Sequence, residues 1–212
     1  MLDTTKLEQG STEWKMAKLG HVSASSIADV MAKGKSGEAT TRKKYKVKLV
    51  AERLTNQIIE SYSNSAMEWG VEQESFARQK YEALNNVLVD KTGFWLHPEI
   101  QWLGVSPDGL VNDDGLIEIK CPNTTTHIDY ILDDKVPTEY YKQIQCQLWV
   151  TGREWCDFIS YDPRLPESRQ LFIKRCNRDD AVITEMQLEV LEFLKEVDYL
   201  TKILTGEIEW QT

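Results

Sequence analysis

Apolar positions along this 212-residue chain change period partway through. From Ser11 to about Leu84 they recur at spacings of three and four, the mark of helices. Ser11 is placed to cap a short helix through Lys18 and Ser23 another over 24–33, with Gly20 between them and Gly34 and Gly37 in the loop that follows. A longer helix is expected over about 41–56 and a strong one over 64–84, stopped by Asn85–Asn86. The period then shortens. VLVD, GFWLH and WLGVS are β-branched or aromatic runs between turn residues, and GLVNDDGLIEIK has the form of a hairpin folded at Asp113–Gly115. Residues 138–150 return to helical period and stop at Thr151–Gly152. EWCDFISYD and RQLFIKRC read as two more strands. A closing helix from Asp179 to about Leu204 carries Val182, Met186, Val190, Phe193, Leu194 and Val197 on one face. The expectation is an α/β (α+β) chain, a central mixed sheet flanked by helices.

Composition narrows this further. Apolar residues are 41% of the chain and charged residues 28%, enough to bury a core and to form one domain over residues 1–212. No run approaches the roughly 20 apolar residues of a membrane span. The N-terminal MLDTTKLEQG lacks an apolar signal region, so a cytoplasmic protein without membrane partners is expected. The cysteines at 121, 146, 156 and 176 are at least ten residues apart, which gives no zinc pattern and no disulfide scaffold. Free thiols in a reducing cytosol are expected. The net charge of −9 argues mildly against a nucleic-acid partner, but it is unevenly placed. Residues 1–60 hold 11 Lys/Arg against 7 Asp/Glu, and 177–212 hold 3 against 9. A polyanion site on one face is compatible with that asymmetry.

The informative segment is SPDGLVNDDGLIEIKCP, residues 106–122. Glu118 and Lys120 lie two apart on the second hairpin strand and leave the same face, while Ile119 points the other way into the core. Folding at Asp113–Gly115 brings Asp108 against them. Two carboxylates gathered this way need a compensating charge, and a divalent cation supplies it. Mg²⁺ favours carboxylate and carbonyl oxygens, here Asp108, Glu118 and the main chain of Ile119, with Mn²⁺ as a natural substitute. Lys120 would contact an attacking water. The plainer alternative makes Asp108 a turn residue and Glu118–Lys120 a surface ion pair.

Pro107–Asp108, nine residues, then Glu118–Ile119–Lys120 resembles the PD-(D/E)xK nuclease superfamily. With WKMAKLGHVSASS, EWGVEQE, QIQCQLWV and SYDPR in order around it, the chain resembles the phage lambda exonuclease, or YqaJ-type viral recombinase, family along nearly its whole length. That resemblance implies a restriction-endonuclease-like fold. It places Glu74 beside the metal site, although an i,i+4 pair with Arg78 is the alternative. It makes Gln145, the second glutamine of the QxQ pair, a holder of the nucleophilic water. It assigns Lys18, Ser25 and Ser106 to the 5′-terminal phosphate. The family's best-known member carries arginine where this chain has Lys18, and lysine lacks the bidentate fork. The basic run Arg42, Lys43, Lys44, Lys46, Lys48 is read as duplex phosphate contacts. Met67 is a wedge or core residue and Trp69 a core one.

The implied function is a Mg²⁺-dependent 5′-to-3′ exonuclease on linear double-stranded DNA. It would release mononucleotides and leave 3′ single-stranded tails for a single-strand annealing protein. The family resemblance implies a homotrimeric ring, encoded by a phage or prophage. No phosphate-binding loop is present, so no nucleotide hydrolysis is expected. Rival readings are a sequence-specific endonuclease of the same chemistry, a silent DNA-end-binding module, and, disfavoured by the cysteine spacing, an iron–sulfur nuclease.

Overall fold

The computed structural model describes residues 2–59 and 65–209, with side chains for all of these except 65–67. The expected helix start at Asn64 and the Met67 side chain therefore lie outside the described residues. Helix α1 (Thr12–Lys18) begins where Ser11 accepts from the Trp14 N–H, and strand β1 (Val22–Ser23) follows Gly20. Ser23 leads into a 3₁₀ turn over Ala24–Ser26 and the one-turn α2 (Ile27–Val30) without a side-chain cap bond, so that helix is shorter than its sequence suggested. Helices α3 (Thr40–Thr55) and α4 (Ser65–Asn85) come next, α3 closing on Asn56 in the left-handed region.

The short strands are β2 (Val89–Asp90), β3 (Trp95–Leu96), β4 (Leu103–Val105) and β5 (Gly109–Val111), followed by β6 (Gly115–Lys120). They form two sheets rather than one. β1, β4 and β3 make a small sheet, and β2-β5-β6-β7-β8 a larger mixed one with β7 (Trp155–Tyr161) and β8 (Leu171–Asn177). Within the larger sheet only β6 and β7 are parallel. A parallel pair needs a crossover, and α5 (Thr124–Asp133) with α6 (Thr138–Thr151) supplies it. The sequence reading missed α5, whose opening TTT is poor in helix propensity; Asn123 caps it by accepting from the Thr126 N–H.

Helix α7 (Asp180–Thr205) closes the chain, and Met186, Val190, Phe193 and Val197 are wholly buried. It packs against α3, where Tyr45 stacks on Phe193 with ring centres 5.6 Å apart. Here the basic run turns out differently from its reading as a phosphate-binding face. Arg42 forks onto both carboxylate oxygens of Glu196 at 2.6 and 2.7 Å, and Lys46 bonds Glu196 and Glu38 at 2.7 Å each. Of the five cations Lys43 and Lys44 are exposed, and Lys48 faces Glu52.

All four cysteines are free thiols. Among the described residues no helix is long and apolar enough to cross a membrane.

Candidate active site

The β5–β6 hairpin pairs Val111 with Gly115, Leu110 with Leu116 and Gly109 with Ile117, and there the ladder ends. Gly109 is required by close approach, since a Cβ would strike Val89 and Ile117. One residue earlier, Asp108 takes over the role of the missing strand: its Oδ2 accepts from the Ile119 N–H at 2.7 Å. In an extended strand the N–H and C=O of one residue point to the same edge. The Ile119 carbonyl therefore faces the Asp108 side.

Glu118 leaves β6 on the opposite face from Ile117 and Ile119, under α6, and is 1% exposed. Its Oε1 accepts from Lys120 Nζ at 2.5 Å and from Gln143 Nε2 at 2.6 Å, and its Oε2 accepts from Gln147 Nε2 at 2.6 Å. Burial alone would lower the Lys120 pKa, but the Glu118 and Asp108 carboxylates outweigh it and raise it. The Lys120 ammonium also lies 5.0 Å from the centre of the Tyr140 ring. Burial pushes the Asp108 carboxyl well above the usual range, the Glu118 charge adds to that, and Lys120 opposes it.

Glu74 joins this group through an arginine. Arg78 makes the i,i+4 contact with Glu74 at 2.5 Å and, with the same nitrogen, donates to the Asp108 carbonyl at 3.0 Å. Along α4 the neighbouring Ala77, Arg78 and Tyr81 are buried, while Val71 is 75% exposed. Glu74 sits at the rim, with 36% of its side chain exposed.

Gln145 is not brought to the carboxylates. It is buried on the other side of α6, where its Nε2 donates to Cys176 Sγ and to the Asn177 carbonyl and its Oε1 accepts from the Asp179 N–H. Positions two apart on a helix face apart, whereas positions four apart share a face. The glutamines that reach Glu118 are accordingly Gln143 and Gln147. The i,i+4 spacing in QIQCQ is the signal that would have found them; nothing in the sequence pointed to the Arg78 contact with Asp108.

A cleft of about 790 Å³ opens beside α1 and α3, lined in part by Lys15, Lys18, Ser23, Ser25 and Lys48. Ser25 is exposed, and its hydroxyl lies 3.2 Å from that of Ser23. Ser106 does not line the cleft directly. It accepts from the Trp14 indole N–H at 3.0 Å, and the Lys18 ammonium rests 3.8 Å above the Trp14 ring. Lys18, Trp14 and Ser106 thus run from the cleft to Pro107–Asp108. Burial, helped by the Lys48 charge and opposed by Glu52, pushes the Lys18 pKa down to about 8.

The residues present suit a hard divalent cation. A carboxylate offers about four lone-pair positions. Glu118 has three donors, and Asp108 has one, so acceptor capacity remains on both, with the Ile119 carbonyl beside them. Among the described residues no three His, Cys, Asp or Glu side chains cluster as a metal site. The groups that could hold an ion here are two carboxylates and a main-chain oxygen, the oxygen-only chemistry of an ion that keeps several waters.

Comparisons with known proteins find the same fold among exonucleases. The crystal structure of an alkaline exonuclease (LHK-Exo) from Laribacter hongkongensis is 46% identical, with TM-score 0.87, covering 93% of this chain and 97% of that one. The same enzyme in complex with dAMP is 47% identical at the same TM-score and coverage. A phage-related exonuclease from Haemophilus somnus 129PT shares the fold, at 17% identity and TM-score 0.71 over 87% of this chain and 96% of that one. An uncharacterized protein of Acanthamoeba polyphaga mimivirus, R354, is 30% identical over 130 residues, which is 54% of this chain and 23% of that protein. The chain thus spans about a quarter of this viral relative's length. The family model of the YqaJ-like viral recombinase domain matches residues 13–154, which include Asp108, Glu118, Lys120 and the whole of α6, and the chain belongs to that family.

Proposed function

We propose that the protein is a Mg²⁺-dependent exonuclease that degrades one strand of linear double-stranded DNA from the 5′ end. The observation that carries the reading is the convergence of Asp108, Glu118 and Lys120 at the end of one β-ladder. The 46% identity to an alkaline exonuclease over 93% of the chain supports it.

Asp108, Glu118 and the Ile119 carbonyl would hold the metal. When bound, Mg²⁺ (or Mn²⁺) neutralises negative charge on the scissile phosphate and acidifies a bound water. Lys120, held as an ammonium between two carboxylates, has no lone pair with which to take a proton. It donates instead, orienting water and stabilising charge on the phosphoryl oxygens. Gln143, bonded to Glu118 from α6, takes the place beside the reacting water that the family resemblance gives to Gln145. Glu74 acts on Asp108 through Arg78.

Water attacks the phosphorus, the bond to the 3′ oxygen of the terminal nucleotide breaks, and that oxygen leaves with a proton. The phosphate stays on the shortened strand, so each turnover regenerates a 5′-phosphorylated end. The cleft with Lys18 and Ser25 receives that end, and the Trp14–Ser106 contact ties it to the strand carrying Asp108. On the family resemblance, three copies would encircle the duplex and pass the 3′ tail to a single-strand annealing protein, in the cytoplasm of a cell carrying the phage or prophage.

The deciding experiment incubates linear and covalently closed circular duplex with protein and Mg²⁺, with the linear DNA labelled at either 5′ or 3′ ends. The reading expects mononucleotides released first from 5′-labelled ends, intact circles, and no digestion in EDTA. Cleavage of closed circles would favour an endonuclease, and inertness on all substrates would favour a DNA-binding module.

A further inference from the structure

The three donors on Glu118 are not equivalent. Lys120 and Gln143 both bond Oε1, so among the described residues Gln147 alone holds Oε2. Gln147 is 1% exposed, on a helix where Ile144, Cys146 and Leu148 are wholly buried. Its amide nitrogen must face the carboxylate, because a carboxylate oxygen can only accept. The amide oxygen is then left buried without a donor among the described residues. Such an orphaned acceptor lowers stability, and a methionine or leucine would fill similar volume without it. Among the described residues the one side-chain bond of Gln147 that offsets this penalty is the bond to Glu118.

We infer that Gln147 is a positioning residue whose amide fixes the rotation of the Glu118 carboxylate, so that the remaining acceptor position on Oε2 is held ready for the divalent cation shared with Asp108. The inference rests on the metal-dependent nuclease reading and assigns a residue to it that the sequence motifs did not mark. A carboxylate bonded only through Oε1 can turn its second oxygen away, and each such misorientation weakens the ion's hold. Partners that orient metal ligands typically change metal affinity or activity by about 10–100-fold when removed.

The test measures Mn²⁺ binding by the electron paramagnetic resonance signal of free Mn²⁺, on protein without DNA. Wild type, Gln147→Met, Gln147→Leu and Glu118→Gln are compared, with a thermal melt in EDTA for each. Gln147→Met is expected to melt at or above the wild-type temperature and to bind Mn²⁺ about 10–100-fold more weakly. Its KM for DNA should be unchanged, with kcat partly recovered at high metal concentration. Unaltered Mn²⁺ affinity in a folded Gln147→Met or Gln147→Leu overturns the positioning role while leaving the nuclease reading intact. If neither variant folds, the contact is structural and the inference falls. Wild-type protein that shows no Glu118-dependent Mn²⁺ binding overturns both.

Discussion

Glu118→Gln tests the site at its most buried point. The substitution keeps shape but removes a charge, and its consequences can be worked from the contacts. Three donors converge on the carboxylate, and an amide offers one oxygen, so at least one donor will face an NH₂ group. Leaving a buried donor unmet costs about 1–3 kcal/mol. Relief of the repulsion between Glu118 and Asp108 works in the opposite direction. Without metal the change in Tm should therefore be modest. The larger effect appears with metal. A ligand at 100 times its Kd stabilises by about 2.7 kcal/mol, which for a chain of this length is about 5–10 °C in Tm. Wild type should show that rise with Mg²⁺ or Mn²⁺, and Glu118→Gln should not. Losing roughly 4 kcal/mol of transition-state stabilisation corresponds to about a thousandfold in rate. DNA binding, measured on the same duplex in a metal-free gel shift, should stay within a few-fold of wild type. Cleavage at the wild-type rate, or an undiminished metal-induced rise in Tm, would refute the assignment.

Three further outcomes follow from the structure. Lys18 is pushed down to about 8, so the rate advantage of 5′-phosphorylated over 5′-hydroxyl ends should decline as pH rises through about 8, and Lys18→Ala should remove it. Lys18→Arg should keep it constant; an advantage indifferent to all three conditions places the end phosphate elsewhere. The same depressed pKa means that between about 8 and lysine's ordinary value of 10.5 the unfolded chain binds a proton that the folded one does not, so this group makes stability rise with pH in that window. Gly115→Ala should destabilise by about 1–3 kcal/mol, because its Cβ would enter the Trp155 indole that stacks on Arg175. Thermal melts check this, and an unchanged Tm would mean that Trp155 yields freely.

What was legible in the sequence was what neighbouring residues decide. The hairpin, the pairing of Asp108 with the Glu118 strand, and the capped ends of α1 and α7 follow from turn residues and alternation over a dozen positions or fewer. Failures came where a partner distant in sequence decides. The QxQ pair taken as a motif points to Gln145, but its two glutamines lie on different helix faces, and only the position of β6 shows which face is which. Helix α5 is invisible to propensity because its role is set by the parallel pairing of β6 with β7, which leaves the chain no other way to return.

Charge shows the same limit from the other direction. The basic front and acidic tail looked like a binding face and a solvated surface, yet Arg42 and Lys46 of the one are matched to Glu196 of the other across the α3–α7 contact. Part of the asymmetry is thus an internal interface, and the density of lysines in a run says little about where a polyanion binds. The cations that line the cleft, Lys15, Lys18 and Lys48, are scattered over more than thirty positions and become a group only because α1 and α3 flank one opening. An anion site is specified by which cations the fold leaves without carboxylate partners. By that criterion Lys18, over an indole ring and depressed toward neutrality by burial, is the residue a bound phosphate would stabilise most, since the incoming negative charge restores the proton that burial disfavours.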